Sequence, residues 1–297
     1  MDLPRPHKVV VFSSSIKDIQ LDWAAVRHLS LDVPGSNHSP IDTLSLLSKG
    51  KQLRVVDLYI EDPVLQGPLT GTILAQNSIR NLRLFNKGAE ILLHTLMPYL
   101  EALSLWGAYL GSTDILLSFL QRSACPLKTL DLRLALHPPE QEFINIFRCT
   151  PKLQHLSFCI INADDIELAE KHIARFLEHL AMVAPRDSES SVILPLLRKF
   201  VYVGPMVYAA PSLFLDAIEA RDNISLTLEG SQVTQPVEEL IIHRYAEDGK
   251  FKPLAPTESD LERILRLNAA GKNVSILDYV SHCEAADTNF SAYYYGD

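Results

Sequence analysis

Two sets of residues in this chain have the types and the spacing to do chemistry together. One is Asp57, Arg83 and Asp131, with Ser104 between the last two. The other is Tyr59, Phe85, Trp106 and Arg133, each two residues further along. In both sets the successive steps are 26, 21 and 27 residues. Aromatic rings beside arginine and carboxylates are typical of the buried centre of protein–protein interfaces, where rings supply area and charges supply orientation. The chemistry they point to is recognition of another protein.

Reactive chemistry has weaker support. The chain contains no GxGxxG, Walker A, HExxH, GxSxG or calcium-loop pattern, and GPLTGT at 67–72 lacks the GK[ST] that holds phosphate and magnesium. His172 and His179, close in sequence to Glu170 and Glu178, could be imagined as a metal or acid–base pair. Seven residues along a helix is two turns, too far for one compact site without further ligands. The four cysteines (Cys125, Cys149, Cys159, Cys283) show no CxxC spacing and read as buried, reduced thiols. No cofactor, metal site or catalytic residue is expected.

The elements that must position the two sets follow a repeat. The pattern apolar-x-x-apolar-x-apolar occurs as VRHLSL from Val26, LRVVDL from Leu53, IRNLRL from Ile79, LEALSL from Leu100, LKTLDL from Leu127, LQHLSF from Leu153 and LRKFVY from Leu197. The start-to-start steps are 27, 26, 21, 27, 26 and 44 residues, five of them within leucine-rich-repeat length. The last apolar pair alternates with period two, so it points to one face of a strand, while the first apolar residue sits in the turn before it. Amphipathic stretches follow the strands: AEILLHTLM after Ala89, DILLSFLQRSA after Asp114, EQEFINIFRC after Glu140.

This spacing predicts an α/β fold, an irregular leucine-rich-repeat solenoid with a curved parallel sheet on the concave side and helices on the convex side. A closed α/β barrel or a doubly wound sheet is the alternative. The asparagine or cysteine usual after the motif is missing, its equivalent places being Glu61, Asn86, Gly107, Ala135 and Ile160 with only an approximate match at Asn86, so turns of another type are expected. Residues 1–280 read as a single solenoid with a long helix inserted near 164–184, capped by Asp164 or Asp165, and a surface loop at 185–191. After it come a helix at PSLFLDAIEAR, a strand at NISLTLEG, a helix at ESDLERILRLNAAGK and a closing strand at VSILDY. Residues 281–297 read as a flexible tail.

In such a sheet the residues between and after each apolar pair point away from the helices. They form ladders of Ser30, Asp57, Arg83, Ser104, Asp131, Ser157 and Val201, and of Asp32, Tyr59, Phe85, Trp106, Arg133, Cys159 and Val203. Asp57, Tyr59, Arg83, Phe85, Trp106, Asp131 and Arg133 are therefore the expected partner-binding residues. The bland alternative is a covered aromatic row whose neighbouring charges pair with one another across the strands.

Composition limits the partners. Thirty-six acidic against 27 basic residues give a net charge of -9, which opposes phosphate attraction, so neither nucleic acid nor membrane is an expected partner. The start lacks a signal-peptide core, no stretch approaches eighteen apolar residues, and an intracellular protein, cytoplasmic or nuclear, is expected.

The run of irregular repeats, with PLLRKFVYVGPMVYAAPSLFLDAIEARD at 195–222 and LNAAGKNVSI ending at Ile276, resembles the repeat region of fungal F-box proteins of mushroom-forming fungi. The resemblance implies a ubiquitin-ligase adaptor in which repeats select the protein to be modified, while a helical F-box holds a Skp-type subunit. Here the residues before the first repeat, MDLPRPHKVVVFSSSIKDIQ, contain Val9, Val10 and Val11 in succession and read as a strand. Binding to a Skp-type adaptor is therefore not expected. The functional expectation is a non-catalytic scaffold that binds a protein on its concave face. An α/β enzyme with a site at the strand ends, or a repeat remnant without function, is the alternative.

Overall fold

The first residue of each apolar triplet sets where a strand begins. Val26, Leu53, Ile79, Leu100, Leu127, Leu153 and Leu197 are all fully buried, each two residues before a strand. In a computed structural model that describes residues 5–12, 19, 21–33, 40–60, 73–108, 113–134, 140–160, 166–181, 193–204, 206, 210–227, 234–245 and 254–279, the strands are β1 (Lys8–Phe12), β2 (His28–Val33), β3 (Val55–Ile60), β4 (Leu74–Ala75), β5 (Asn81–Asn86), β6 (Thr95–Leu96), β7 (Ala102–Ala108), β8 (Thr129–Leu134), β9 (His155–Ile160), β10 (Lys199–Gly204), β11 (Glu239–Tyr245) and β12 (Asn273–Tyr279). All but the two-residue β4 and β6, which pair with each other, join one ten-stranded sheet. Every pairing in it is parallel.

The sheet runs in chain order from β1 to β12 without reversal, and β1 and β12 are its edges. It is an open sheet, which removes the barrel. A doubly wound sheet requires a point where the strand order reverses, and none occurs here. The turns before the strands carry the order through the backbone. Arg54 and Val55 both donate to the carbonyl of Arg27, Arg80 and Asn81 to that of Arg54, and Glu101 and Ala102 to that of Arg80. The same double bond recurs at Glu101, Lys128, Gln154 and Arg198. Backbone donors at the turn are thus satisfied by the neighbouring repeat, so a turn in the wrong register would leave them bare.

The crossovers are α1 (Pro40–Lys49), a 3-10 helix at Lys87–His94, α2 (Thr113–Ser123), α3 (Glu140–Arg148), α4 (Ile166–Ala181), α5 (Ser212–Thr227) and α6 (Glu258–Ala269). Their apolar sides, including Leu47, Leu92, Phe119, Phe147, Leu177 and Leu215, pack into one core with the inward strand rows. One row is Leu29, Val56, Leu82, Leu103, Leu130, Leu156, Phe200 and Leu240; the next is Leu31, Leu58, Leu84, Leu105, Leu132, Phe158, Tyr202 and Ile242. The expected helix near 164–184 is α4, with Ile173, Leu177 and Leu180 buried on its stripe. The Asp164 or Asp165 cap, the loop at 185–191 and the tail at 281–297 lie outside the described residues.

At the amphipathic stretch AEILLHTLM the crossover is a helix of 3-10 type, Lys87–His94. The step at this repeat is only 21 residues, and a 3-10 helix rises about 2.0 Å per residue against about 1.5 Å for an α-helix, so fewer residues return the chain along the sheet. NISLTLEG is not a strand: Asn223–Thr227 end α5. The place beside β10 belongs to β11, whose Val237, Leu240 and Ile242 repeat the apolar triplet. Tertiary pairing overrides the local alternation of Ile224 and Leu226.

The last crossover is tied by charge. Arg263 of α6 reaches Asp216 at 2.6 Å and Glu219 at 2.8 Å on α5, Arg266 reaches Glu219 at 2.7 Å, and Lys272 meets Asp222 at 2.9 Å. The hydrogen bond from Arg263, aided by Arg266, holds the Glu219 carboxyl below the usual glutamate range although burial opposes it. A carboxyl lowered on folding contributes stability that is present above its unfolded value and is lost as pH falls through the folded one. The protection of α6 amides, corrected for the intrinsic pH dependence of exchange, is accordingly expected to fall as pH drops below the ordinary glutamate range, and Glu219→Gln to flatten that fall. Equal pH profiles for the two proteins would remove Glu219 as its source.

Candidate protein-binding face

The side of the sheet opposite the helices collects the two ladders. Ser30, Asp57, Arg83, Ser104, Asp131, Ser157 and Val201 are successive partners in register, as are Asp32, Tyr59, Phe85, Trp106, Arg133, Cys159 and Val203. All seven expected partner-binding residues therefore share one face, on β3, β5, β7 and β8. They are neighbours because each stands at the same offset from its apolar triplet, and parallel strands lie about 4.8 Å apart.

The rings touch. Tyr59 and Phe85 have centroids 5.9 Å apart, and Phe85 meets Trp106 edge-on at 5.0 Å and 76°. Edge-on aromatic pairs add about 0.5–1.5 kcal/mol beyond the area they bury. Tyr59 is exposed, Phe85 and Trp106 half-buried. The guanidinium of Arg133 lies 3.4 Å from the Trp106 ring centre, a stacked cation–π contact that closes the aromatic run. The run is followed by a bulge between Trp106 and Ala108. Gly107 there has φ +64, and a Cβ on it would sit 2.7 Å from Asn86 Oδ1. Asn86 itself has φ 53, so two of the five places compared with the usual repeat asparagine, Asn86 and Gly107, take a positive φ.

The charges pair across the strands, as the bland alternative anticipated, while the rings stay accessible. Asp57 shares a 2.9 Å hydrogen bond with His28 Nε2, and its other oxygen lies 3.7 Å from Arg83 Nε. Asp131 accepts a 2.8 Å bond from the indole N–H of Trp106 and is itself buried. Burial pushes the Asp131 carboxyl up, and Arg133, Ser157, Trp106 and Arg83 pull it back in part. Asp131 thus works as a floor that fixes the Trp106 ring, and Arg133 as a lid on one face of it.

Beyond Arg133 the face turns apolar. Cys159, Val201 and Val203 are buried in a small second cluster with Ile241 packed on it. Burial raises the Cys159 thiol to about 12 and that of Cys125 to about 11, so both are protonated and inert at neutral pH. Cys125, Cys149 and Cys159 are free thiols, while Cys283 lies outside the described residues. His172 and His179 build nothing further: among the described residues no group of three His, Cys, Asp or Glu could hold a metal. Among them, too, no helix is long and apolar enough to cross a membrane.

His28 was not among the expected site residues. It stands two places before Ser30, hence on the same face, and the period-two rule extended backwards along each strand would have included it. Phe12 and Val10 were missed for another reason: β1 carries no apolar triplet, yet it pairs with β2 and brings both to this face, exposed. No protein-family model, curated protein or solved structure matches the chain, so the face rests on its own geometry.

Proposed function

We propose that the protein is a non-catalytic interaction scaffold, an irregular leucine-rich-repeat solenoid that binds a partner protein on the open face of its sheet. The contact residues are Asp57, Tyr59, Arg83, Phe85, Trp106, Asp131 and Arg133. One observation carries the reading: three aromatic rings stand in register on adjacent strands and remain accessible on a face where, among the described residues, no helix packs. A contiguous aromatic row left partly open to solvent is costly to leave bare and is characteristic of an interface. Asp57 is held by His28 and Arg83, and Asp131 and Arg133 are held against Trp106, so these four charged groups orient the rings and leave the rings as the main source of binding energy.

The likeness of the repeats to those of F-box adaptors makes a protein selected for ubiquitylation the natural class of partner, with no Skp-type contact included in the proposal. A reducing compartment, cytoplasm or nucleus, suits the free thiols Cys125, Cys149 and Cys159.

The test is affinity purification with quantitative mass spectrometry, comparing the wild type with Phe85→Ala/Trp106→Ala after circular dichroism has matched their folds. Two interface anchors of about 2 kcal/mol each correspond to roughly a thousandfold loss of affinity, so specific partners should disappear. Retention of the same partners by both proteins would place the interface elsewhere.

A further inference from the structure

Resting on that reading, we infer that the partner presents an extended segment with a lysine or arginine at one end and apolar residues beside it, the cation seated at Asp32. The row that carries the rings is longer than the rings themselves. In register it runs Phe12, Asp32, Tyr59, Phe85, Trp106, Arg133, one residue from each of six adjacent strands. Asp32 lies between two aromatic residues, Phe12 and Tyr59, both exposed, and is itself half-buried. A carboxylate flanked by aromatic rings offers a cation both an ion pair and cation–π contact.

Asp32 also differs from the other acids of this face. Asp57 is engaged by His28 and Arg83, and Asp131 by Trp106. Among the described residues, Asp32 makes no hydrogen bond or ion pair. Among the described residues no cation compensates its charge, and it stands in a chain of net charge -9, which attracts a cationic group to that end.

The remainder of the row selects apolar neighbours. The Trp106 indole N–H is already given to Asp131, and Arg133 is buried against the Trp106 ring. Phe85 has no polar group, so the middle of the row offers faces of rings and little to hydrogen-bond. From Asp32 to Arg133 there are four strand intervals, about 19 Å at about 4.8 Å each, the length of about six extended residues. Proline and other stiff apolar residues fit this stretch, because a pre-extended segment loses little entropy on docking.

The test uses a displayed library of random octapeptides, panned against the wild-type chain, Asp32→Asn and Phe85→Ala/Trp106→Ala. The wild type should enrich sequences with Lys or Arg next to apolar or proline residues. A synthetic peptide of the consensus should bind about tenfold more weakly to Asp32→Asn, lose affinity with rising salt and shift the fluorescence of Trp106. Enriched sequences without a basic residue, bound equally by wild type and Asp32→Asn but lost in the ring variant, would overturn the basic-segment inference and leave the interaction face standing. Enrichment that is the same for wild type and ring variant would overturn both.

Discussion

Replacing Arg221 by methionine should lower the free energy of unfolding by about 3–5 kcal/mol, although methionine nearly fills the same space. Arg221 lies on α5 and is fully buried. Its Nη1 donates to the carbonyl of Ile193 at 3.3 Å, and its Nη2 to those of Leu194 at 2.8 Å, Pro195 at 3.3 Å and Gln235 at 3.3 Å. These carbonyls belong to the turns that lead into β10 and β11, where Leu194 takes the left-handed φ of 51. One guanidinium thus joins a helix to two neighbouring turns of the sheet. Burial draws its pKa down to about 10, so it still carries its charge at neutral pH. Exchanging a buried ion pair for apolar residues is often harmless because both partners are replaced. Here the acceptors are backbone carbonyls, which remain and lose their donor. A urea melt followed by circular dichroism measures the difference, and a thermal scan should fall by roughly 10 °C. A methionine variant within about 1 kcal/mol of the wild type would show that these turns hold without the guanidinium.

Phe200→Ala is the other substitution of comparable weight, expected to cost about 3–5 kcal/mol, against about 1–1.5 kcal/mol for Phe200→Leu. Phe200 occupies on β10 the inward place held by leucine on β2, β5, β7, β8 and β9. Its ring lies 5.8 Å from Phe176 of α4 and 6.0 Å from Phe214 of α5. The helices on either side of β10 are the two longest, 16 residues each, and larger side chains fill the space between them and the sheet. Phe158 with Phe143 at 5.0 Å, Phe147 with Phe176 at 5.0 Å and Tyr202 with Phe214 at 5.1 Å continue that filling. Leucine keeps much of the buried volume, whereas alanine opens a cavity beneath both helices. The same urea melts test it: an alanine variant no worse than the leucine variant would mean that the core collapses around the missing ring.

The candidate site was legible to the extent that it depends on offset. Tyr59, Phe85 and Trp106 could be set side by side before any coordinates because each follows an apolar pair by one place, and a parallel sheet built from equivalent turns keeps equivalent places together. Phe12 escaped because β1 lacks the triplet that marks the offset, and the partners of Asp57 and Asp131 escaped because the direction of a side chain is not a matter of spacing. The triplet that begins at Val237 leads into β11 like the others, yet the alternation in NISLTLEG is as good locally, so spacing alone does not separate the two.

The sequence by itself determined where the strands begin, which residues face the helices and which rows cross the sheet, since period two and a buried residue in each turn are local properties of the chain. Only the tertiary structure decided that Ile224 and Leu226 belong to a helix, that the shortest crossover is a 3-10 helix, and that Arg221 is buried among turn carbonyls. It also decided that Arg83 turns to Asp57 while Asp131 and Arg133 turn to Trp106, and that the aromatic row stays accessible. The reason is common to all of these. Each depends on what a neighbouring repeat leaves room for, or leaves unsatisfied, and for Arg221 and the open face, residues 14 to 28 positions away supply that condition.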